Sequence, residues 1–498
     1  MFRRVLIANR GEIALRIIRT CRALGVETVA VYSDVDHDAL HVSAADHVEP
    51  IGPATPTESY LSGTRIIDAA RRSGADAVHP GYGFLAENPA FAEACADVGL
   101  RFVGPSPAVI ARAGSKIDVR RLAQSVGVPV VPGSEPTDQS PEGLRAAVEA
   151  VGFPALLKPS AGGGGKGMRV VHGAGEIETA IAATRREARA AFGDDTIYVE
   201  RHLQHPRHVE IQVAADRHDN LVHLFERECS IQRRYQKVIE ETPAPALSDE
   251  TRQALGTAAT TIARAAGYDN IVTVEFLVEA SGTPAERFYF LEMNTRLQVE
   301  HPVTEMTTGV DLVRGQLEIA AGMPLPWSQD TLRPQGHAIE CRVYAEAPEE
   351  DFLPQAGSIA LYREPTGPGL RVDSGIREGS LVPVQYDPLL AKVVAYGESR
   401  AWALARLREA IRRYAILGIT TNLRLLTNVL DHPRFIEGVF DTHFLEDERE
   451  AVLSSCPDDV LTAVLAVAAA TSLQPSPRAV PIDGVAGDPW RDLSDWRV

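Results

Sequence analysis

Cysteine is scarce: there are five in 498 residues, Cys21, Cys95, Cys229, Cys341 and Cys456. They are scattered, odd in number and nowhere spaced as CxxC. That disfavours a disulfide scaffold and a thiolate zinc site, and fits a reducing compartment. Long apolar runs are also lacking. Val5–Ala8 is too short for the core of a signal peptide, and Arg10, Glu12 and Arg16 follow at once. Val460–Ala470, rich in Ala, Val and Leu, falls short of the roughly 18 residues of a membrane helix. The expectation is a cytoplasmic protein. Positive charge is in deficit: 50 Lys and Arg against 67 Asp and Glu give −17. Such a surface argues against a general nucleic-acid or membrane binder, but leaves a local anion site open. No internal repeat is visible.

What is present is ordinary for a globular enzyme: 45% hydrophobic and 23% charged residues. The length suggests about three domains. In the first hundred residues strands alternate with helices: Arg4–Ala8, Glu12–Ala23, Glu27–Tyr32, Tyr60–Arg72, Ala75–His79, Asn88–Asp97 and Leu100–Val103. This order implies a doubly wound parallel sheet. No GxGxxG follows the first strand; Asn9-Arg10-Gly11-Glu12 stands there, which disfavours a dinucleotide site. Ser115 is placed to cap a helix over Lys116–Ser125, with Gly127 as its stop. Beyond the connector Val128–Pro141 the patterns mix. The region 335–447 reads as strand-rich, closed by a helix over Trp402–Tyr414. The expected division is 1–114, 115–334, 335–447 and a tail, 448–498, that holds an Ala-rich helix and a Pro-rich stretch.

The short strand Ala155–Pro159 carries Lys158 and is followed by SAGGGGKGMRVV. Successive glycines let backbone N–H groups approach a phosphate, and Lys158 and Lys166 supply charge. A Walker A loop needs Ser or Thr after its lysine and then a helix. Here Gly167 and a strand, Met168–Val171, follow, so the loop reads as a hinged flap over a nucleotide.

Glu275 in VTVEFLVE and Glu292 in FYFLEMN lie on two alternating strands that a loop, Glu279–Glu286, would join into a hairpin. Carboxylates flanking a phosphate chain are a usual Mg²⁺ site, and Asn294 can complete it. In the string NTRLQVEHP, taken as extended, Asn294, Arg296, Gln298 and Glu300 fall on one side. Arg296 can grip an oxyanion and Glu300 can act as a base, whereas Arg296 and Arg342 are equally readable as structural ion-pair partners. His208, Glu210 and Gln212 alternate with Val209, Ile211 and Val213 as the polar face of an amphipathic strand. The segment from Glu228 to Lys237, with its basic run, is either a solvated face or the polyanion side of a site, and its proximity to the other motifs favours the second.

These strings resemble the biotin carboxylase family. The resemblance is carried by VLIANRGEIALRIIR, HPGYGFLAEN, KPSAGGGGKGM, RHVEIQV, ERECSIQRRYQKVIEE, EMNTRLQVEHPVTEM, ECRVYAE, FLPQAGSI and YDPLLAKVV, in order from residue 1 to about 447. It implies an ATP-grasp α/β fold with a doubly wound N-terminal domain and a strand-rich C-terminal domain. It implies that Lys116 and Lys158 contact ATP. Gly163, Gly164, Gly165, Lys166 and Gly167 would cover its phosphates. Glu200 and Leu203 would lie at the adenine, and His208, Gln232 and Tyr235 near the nucleotide sugar. Glu275, Glu292 and Asn294 would hold Mg²⁺ or Mn²⁺. Lys237, Arg296, Gln298 and Val299 would seat bicarbonate, Glu300 would deprotonate it, and Arg342 would stabilise the biotin enolate. The implied reaction makes carboxyphosphate from ATP and bicarbonate. Its CO2 is then taken by biotin N1, once phosphate has removed the ureido proton.

Tyr235 stands where many relatives carry histidine, which implies altered nucleotide contacts with activity retained. The sequence shows no Ala-Met-Lys-Met site, so the implied biotin is carrier-bound. The implied partners are a biotin carboxyl carrier protein or domain, a carboxyltransferase subunit and further copies of the chain. Two other readings stay open: a different ATP-grasp ligase, and an ATP-binding subunit without catalysis.

Overall fold

The computed structural model describes residues 1–160, 167–279 and 286–454. The glycines at 163–165, Lys166, most of the loop between Glu279 and Glu286, and the Ala-rich and Pro-rich tail lie outside them.

The first sheet has five parallel strands in the order His47–Gly52, Glu27–Ser33, Arg4–Ile7, Ala77–His79, Arg101–Phe102. Val5, Leu6 and Ile7 are buried because helices cover both faces of a doubly wound sheet. The helix Gly11–Ala23 covers one face, and Gly63–Ser73 ends where Gly74 takes the left-handed conformation at φ 67°. Two details depart from the sequence reading. The edge strand His47–Gly52 was not anticipated, since Pro50 and the charges of HVEPIG hide it. Tyr60 does not open a helix; it is a core residue whose hydroxyl donates to Asp36 at 2.7 Å.

The helix Lys116–Ser125 forms as its sequence dictates: the Ser115 hydroxyl accepts from the Asp118 N–H at 3.3 Å. It leads to a four-stranded sheet in the order Gly133–Ser134, Ile197–Arg201, Ala155–Pro159, Arg169–Val171. The strands Ala155–Pro159 and Arg169–Val171, which flank the glycine-rich segment, pair antiparallel.

An eight-stranded antiparallel sheet runs through the middle of the chain and into its C-terminal part. Its order is Arg287–Asn294, Asn270–Glu279, Arg207–Ala215, Leu221–Arg233, Gln236–Thr242, His337–Tyr344, Leu389–Gly397, Leu370–Ser374. The helices Asp249–Ala265 and Arg400–Arg413 bury their apolar faces in its two cores. The strand Arg207–Ala215 is buried along its whole length. The polar face of this strand is therefore an internal one, and its polar groups require partners inside the protein.

Candidate active site

The hairpin of Asn270–Glu279 and Arg287–Asn294 places Glu275 opposite Glu292. Asn294 Nδ2 donates to Glu275 Oε1 at 2.8 Å and to Glu292 Oε1 at 3.4 Å. Three oxygen-bearing side chains thus meet, as the alternation predicts. The donor set is hard and carboxylate-rich, which fits Mg²⁺ or Mn²⁺. Glu292 keeps most of its hydrogen-bonding capacity free, whereas Glu275 is also gripped by Lys237 at 2.8 Å and His208 at 2.8 Å. His208 is raised above its ordinary pKa: burial opposes the charge, and Glu275 outweighs it.

Glu210 is the next strand's residue in register with Glu275. Alternation had put it on a polar face without a role. In the fold it is fully buried and held by Arg227, which donates to Glu210 at 2.6 Å and to Gln212, Thr304 and Thr273. Lys237, from Gln236–Thr242, reaches into this cluster and contacts Glu210, Glu275 and Glu300. One ammonium among three carboxylates remains protonated; its pKa stands well above the usual lysine value although burial opposes it.

Glu300 ends a turn before the helix His301–Thr308. Its two oxygens are taken by Lys237 at 2.7 Å and Arg342 at 2.9 Å. Burial alone would raise its pKa, but the Lys237 and Arg342 charges win and hold it well below the usual carboxylate range. Arg342 is shared with Glu240, a buried residue whose pKa burial pushes up to about 7.

The string after Asn294 is not extended: the strand stops there and the chain turns. Arg296 pairs with Glu87 at 3.0 Å yet stays beside Asn294 and close enough to Glu300 and Glu275 for their charges to act on it. Its Nη1 donates to Gln298 Oε1 at 3.3 Å, while the buried Gln298 Nε2 has no partner among the described residues. A buried N–H₂ left unmatched is costly unless an acceptor arrives, which fits an oxyanion seat. The Val299 carbonyl accepts from Lys392 at 2.9 Å.

A cavity of about 450 Å³ adjoins the carboxylate pair. Lys116, Lys158, Glu200, Leu203, His208, Gln232, Tyr235, Glu275 and Glu292 line it, together with Leu156, Met168, Leu277 and Leu291. Cationic lysines and apolar side chains thus line one cavity, a mixture that suits an anionic group attached to a flat aromatic ring. Lys158 is held by Glu200 at 2.9 Å, and Glu200 also pairs with Arg120, so Glu200 orients a cation as well as lining the pocket. Gln232 donates to His208 at 2.6 Å. The basic run divides: Gln232 and Lys237 face inward, Arg233 and Arg234 pair with Glu346 and Asp351, and Tyr235 sits half-exposed on the tight turn. Gly167, the described end of the glycine segment, adopts φ 77°, a conformation that favours glycine.

Sequence reasoning did not single out Glu87, Glu210, Arg227 or Glu240 as site residues. Only Glu210 carried a local signal, its place between His208 and Gln212.

Known proteins with the same arrangement can now be compared. Residues 1–110 match the family described as biotin carboxylase, N-terminal domain. Residues 115–328 match carbamoyl-phosphate synthase L chain, ATP binding domain, and 340–447 match biotin carboxylase C-terminal domain. Biotin carboxylase 1 of Bacillus subtilis is 48% identical over 446 residues, 90% of this chain and 98% of that protein. The mitochondrial methylcrotonoyl-CoA carboxylase subunit alpha of Dictyostelium discoideum is 47% identical over 502 residues. The chain spans 70% of that protein and 61% of its Glycine max counterpart. Among solved structures, the biotin carboxylase domain dimer of the Hydrogenobacter thermophilus 2-oxoglutarate carboxylase, in complex with MgADP, ADP and bicarbonate, superposes with a TM-score of 0.88 at 41% identity, covering 92% of this chain and all of that one. The Campylobacter jejuni biotin carboxylase complex gives 0.87 at 42%, covering 90% and 99%. With its parallel N-terminal sheet, ATP-grasp centre and strand-rich C-terminal region, the chain belongs to the biotin carboxylase family.

Proposed function

We propose that this chain, an ATP-dependent carboxylating ligase by family, carboxylates carrier-bound biotin at the expense of ATP and bicarbonate. The observation that carries the reading is the continuity of the site. The cavity with Lys116 and Lys158 ends at Glu275 and Glu292, and Glu275 is bonded directly to Lys237, which is bonded to Glu300. Nucleotide, metal and base positions therefore form one line.

In this reading Lys116, Lys158 and the glycine segment from Gly163 to Gly167 hold the ATP phosphates. Glu200 and Leu203 face the adenine, and His208, Gln232 and Tyr235 the sugar. Glu275, Glu292 and Asn294 hold Mg²⁺ or Mn²⁺, which supplies compensation of phosphate charge. Arg296, Gln298, Val299 and Lys237 seat bicarbonate. Glu300 takes the bicarbonate proton and so makes an oxygen nucleophilic toward the γ-phosphoryl group. Carboxyphosphate is labile in water, so a closing flap protects it. Arg342, freed from Glu300 as that carboxylate turns to its proton, stabilises the enolate of biotin.

The relatives named as carboxylase subunits support action within a larger assembly with a biotinyl carrier and a carboxyltransferase. The domain dimer among the similar structures supports a homo-oligomer. Among the described residues no helix is long and apolar enough to cross a membrane. We place the chain in the cytoplasm on its buried, unpaired Cys21, Cys95, Cys229 and Cys341.

The test is release of ADP with bicarbonate and free biotin present or withheld. Turnover that needs bicarbonate and rises with biotin supports the reading. ATP binding without bicarbonate-dependent turnover makes the chain a silent nucleotide-binding subunit. Transfer to an amine or carboxylate acceptor makes it another ATP-grasp ligase.

A further inference from the structure

At the rim of the nucleotide cavity, whose lining includes His443, three side chains converge from two distant segments of the sequence. Asp441 lies between two histidines: His205 Nδ1 is 3.3 Å from one of its oxygens and His443 Nδ1 is 3.7 Å from the other. One ligand atom from each residue lies within 4.8 Å of the other two. We propose that His205, Asp441 and His443 form a binding site for a divalent transition metal of the zinc class, distinct from the Glu275–Glu292 site.

The chemistry favours that ion class. Two imidazoles and one carboxylate suit Zn²⁺, Co²⁺ or Ni²⁺, whereas an all-oxygen set suits Mg²⁺. Tetrahedral Zn²⁺ with bonds of about 2.0–2.2 Å places its ligand atoms roughly 3.3–3.5 Å apart. The two histidine–aspartate separations, 3.3 Å and 3.7 Å, run to different oxygens of Asp441, so a shared oxygen ligand requires one imidazole to shift. The remaining adjustment falls to His205, whose side chain is 64% exposed and free to change rotamer.

The backbone supports the convergence. The Thr442 N–H donates to the Pro206 carbonyl at 3.0 Å, which fixes the segment carrying Asp441 and His443 beside the turn carrying His205. Asp441 Oδ1 accepts from the His443 N–H at 2.8 Å, which orients the carboxylate. His205 itself holds a left-handed φ of 52°, uncommon for a non-glycine residue. The competing cation, Arg434, is 4.0 Å from Asp441 but is engaged by Glu448 at 2.7 Å. A metal would replace the present contacts of Asp441 and His443 Nδ1, and one ligand atom from each residue leaves a fourth position for water.

The experiment titrates Zn²⁺ against a chromophoric chelator, and Co²⁺ by its visible absorption, into the full chain with excess Mg²⁺ to occupy the oxygen site. Wild type is expected to bind one equivalent, to show the intense bands of low-coordinate Co²⁺ and to melt at a higher temperature with Zn²⁺. His205→Ala and His443→Ala are each expected to weaken binding at least about tenfold and to abolish the thermal shift. His37→Ala, an unrelated exposed histidine, is expected to behave as wild type. His205→Ala removes a largely exposed side chain, so its folding serves as the control. Equal binding in wild type and both site variants, or no bound equivalent in wild type, overturns the proposal and leaves two plain ion pairs. Because the readouts are metal occupancy and melting, they stand or fall separately from biotin carboxylation.

Discussion

Arg342 Nη2 donates to Glu300 Oε2 at 2.9 Å, and Lys237 donates to the other oxygen of the same carboxylate at 2.7 Å. The contact joins the strand His337–Tyr344 to the turn that precedes the helix His301–Thr308. Glu300, the proposed base, is thus neutralised from both sides and ionised throughout the physiological range. In the proposed reaction an anion bound between these cations would weaken their hold on Glu300 and raise its basicity. The same contact would keep Arg342 aligned for its proposed role toward biotin.

Glu300→Gln is expected to lower kcat for bicarbonate-dependent ADP release by about 10²–10⁴-fold, the range of a positioned base. Removing one partner of a buried pair costs about 3–5 kcal/mol, so folding must be followed by circular dichroism and melting. Glu300→Asp keeps the charge and shortens the reach; it should fold and still be slow. Retention of full bicarbonate-dependent turnover by a folded Glu300→Gln would falsify the assignment of the base.

The two glutamates proposed to hold the metal are predicted to differ. Glu292 makes one long contact, to Asn294 at 3.4 Å, whereas Glu275 binds Lys237, His208 and Asn294. Glu292→Gln should raise the Mg²⁺ concentration for half-maximal turnover by roughly tenfold, about 1.4 kcal/mol, and leave the melting temperature near wild type. Glu275→Gln should do both: raise the Mg²⁺ requirement and lower the melting temperature, because His208 loses its counter-charge. A magnesium titration and a melt on each variant separate the roles. Equal melting temperatures would show that Glu275 carries no structural share.

How far the sequence reached depends on the range of each signal. Alternation and short turns are local, so the hairpin of Glu275 and Glu292 was legible, as was the Ser115 cap. The pairs Arg296–Glu87 and Arg227–Glu210 join strings far apart in the chain. Periodicity says which face a residue occupies, not what stands opposite. The error over Asn294–Glu300 has a similar origin: a string read as extended is a turn, because the strand ends at Asn294 and a helix with Pro302 in its first turn starts at His301. The strand His47–Gly52 was missed because an edge strand tolerates the proline and charges that a central one excludes.

Glu87 is predicted to be a positioning residue. It accepts from Arg296 Nε at 3.0 Å and from the Thr295 N–H at 3.1 Å, so it fixes both the guanidinium and its backbone. Glu87→Gln keeps a hydrogen-bond acceptor but removes the charge. The expected result is a KM for bicarbonate raised by roughly threefold to tenfold with kcat within about twofold of wild type. A fall in kcat at unchanged KM would instead place Glu87 at the chemical step.

Two buried histidines in the N-terminal sheet region give the fold an acid sensitivity. Burial pushes His41 down to about 4 and His79 down to about 3, from an ordinary 6.5. Each stays neutral in the native state: the Val31 carbonyl accepts from His41 Nε2–H at 3.3 Å, and His79 Nδ1 accepts from the Gly81 N–H at 3.1 Å. Below 6.5 the unfolded chain binds these protons and the native state does not. Stability therefore rises with pH across this window; the contribution is complete above 6.5 and is lost as pH falls toward 4 and 3. At about pH 5 each histidine forfeits roughly 2 kcal/mol. His41→Gln and His79→Asn preserve the neutral donor and the neutral acceptor without a titratable ring. In melts at about pH 5 and pH 7.5, the double variant should show a much smaller loss of melting temperature on acidification than wild type. His301, also buried and held well below its ordinary value, remains and should leave a residual slope. If the double variant lost as much as wild type between the two conditions, the acid sensitivity would have to lie in the carboxylates instead.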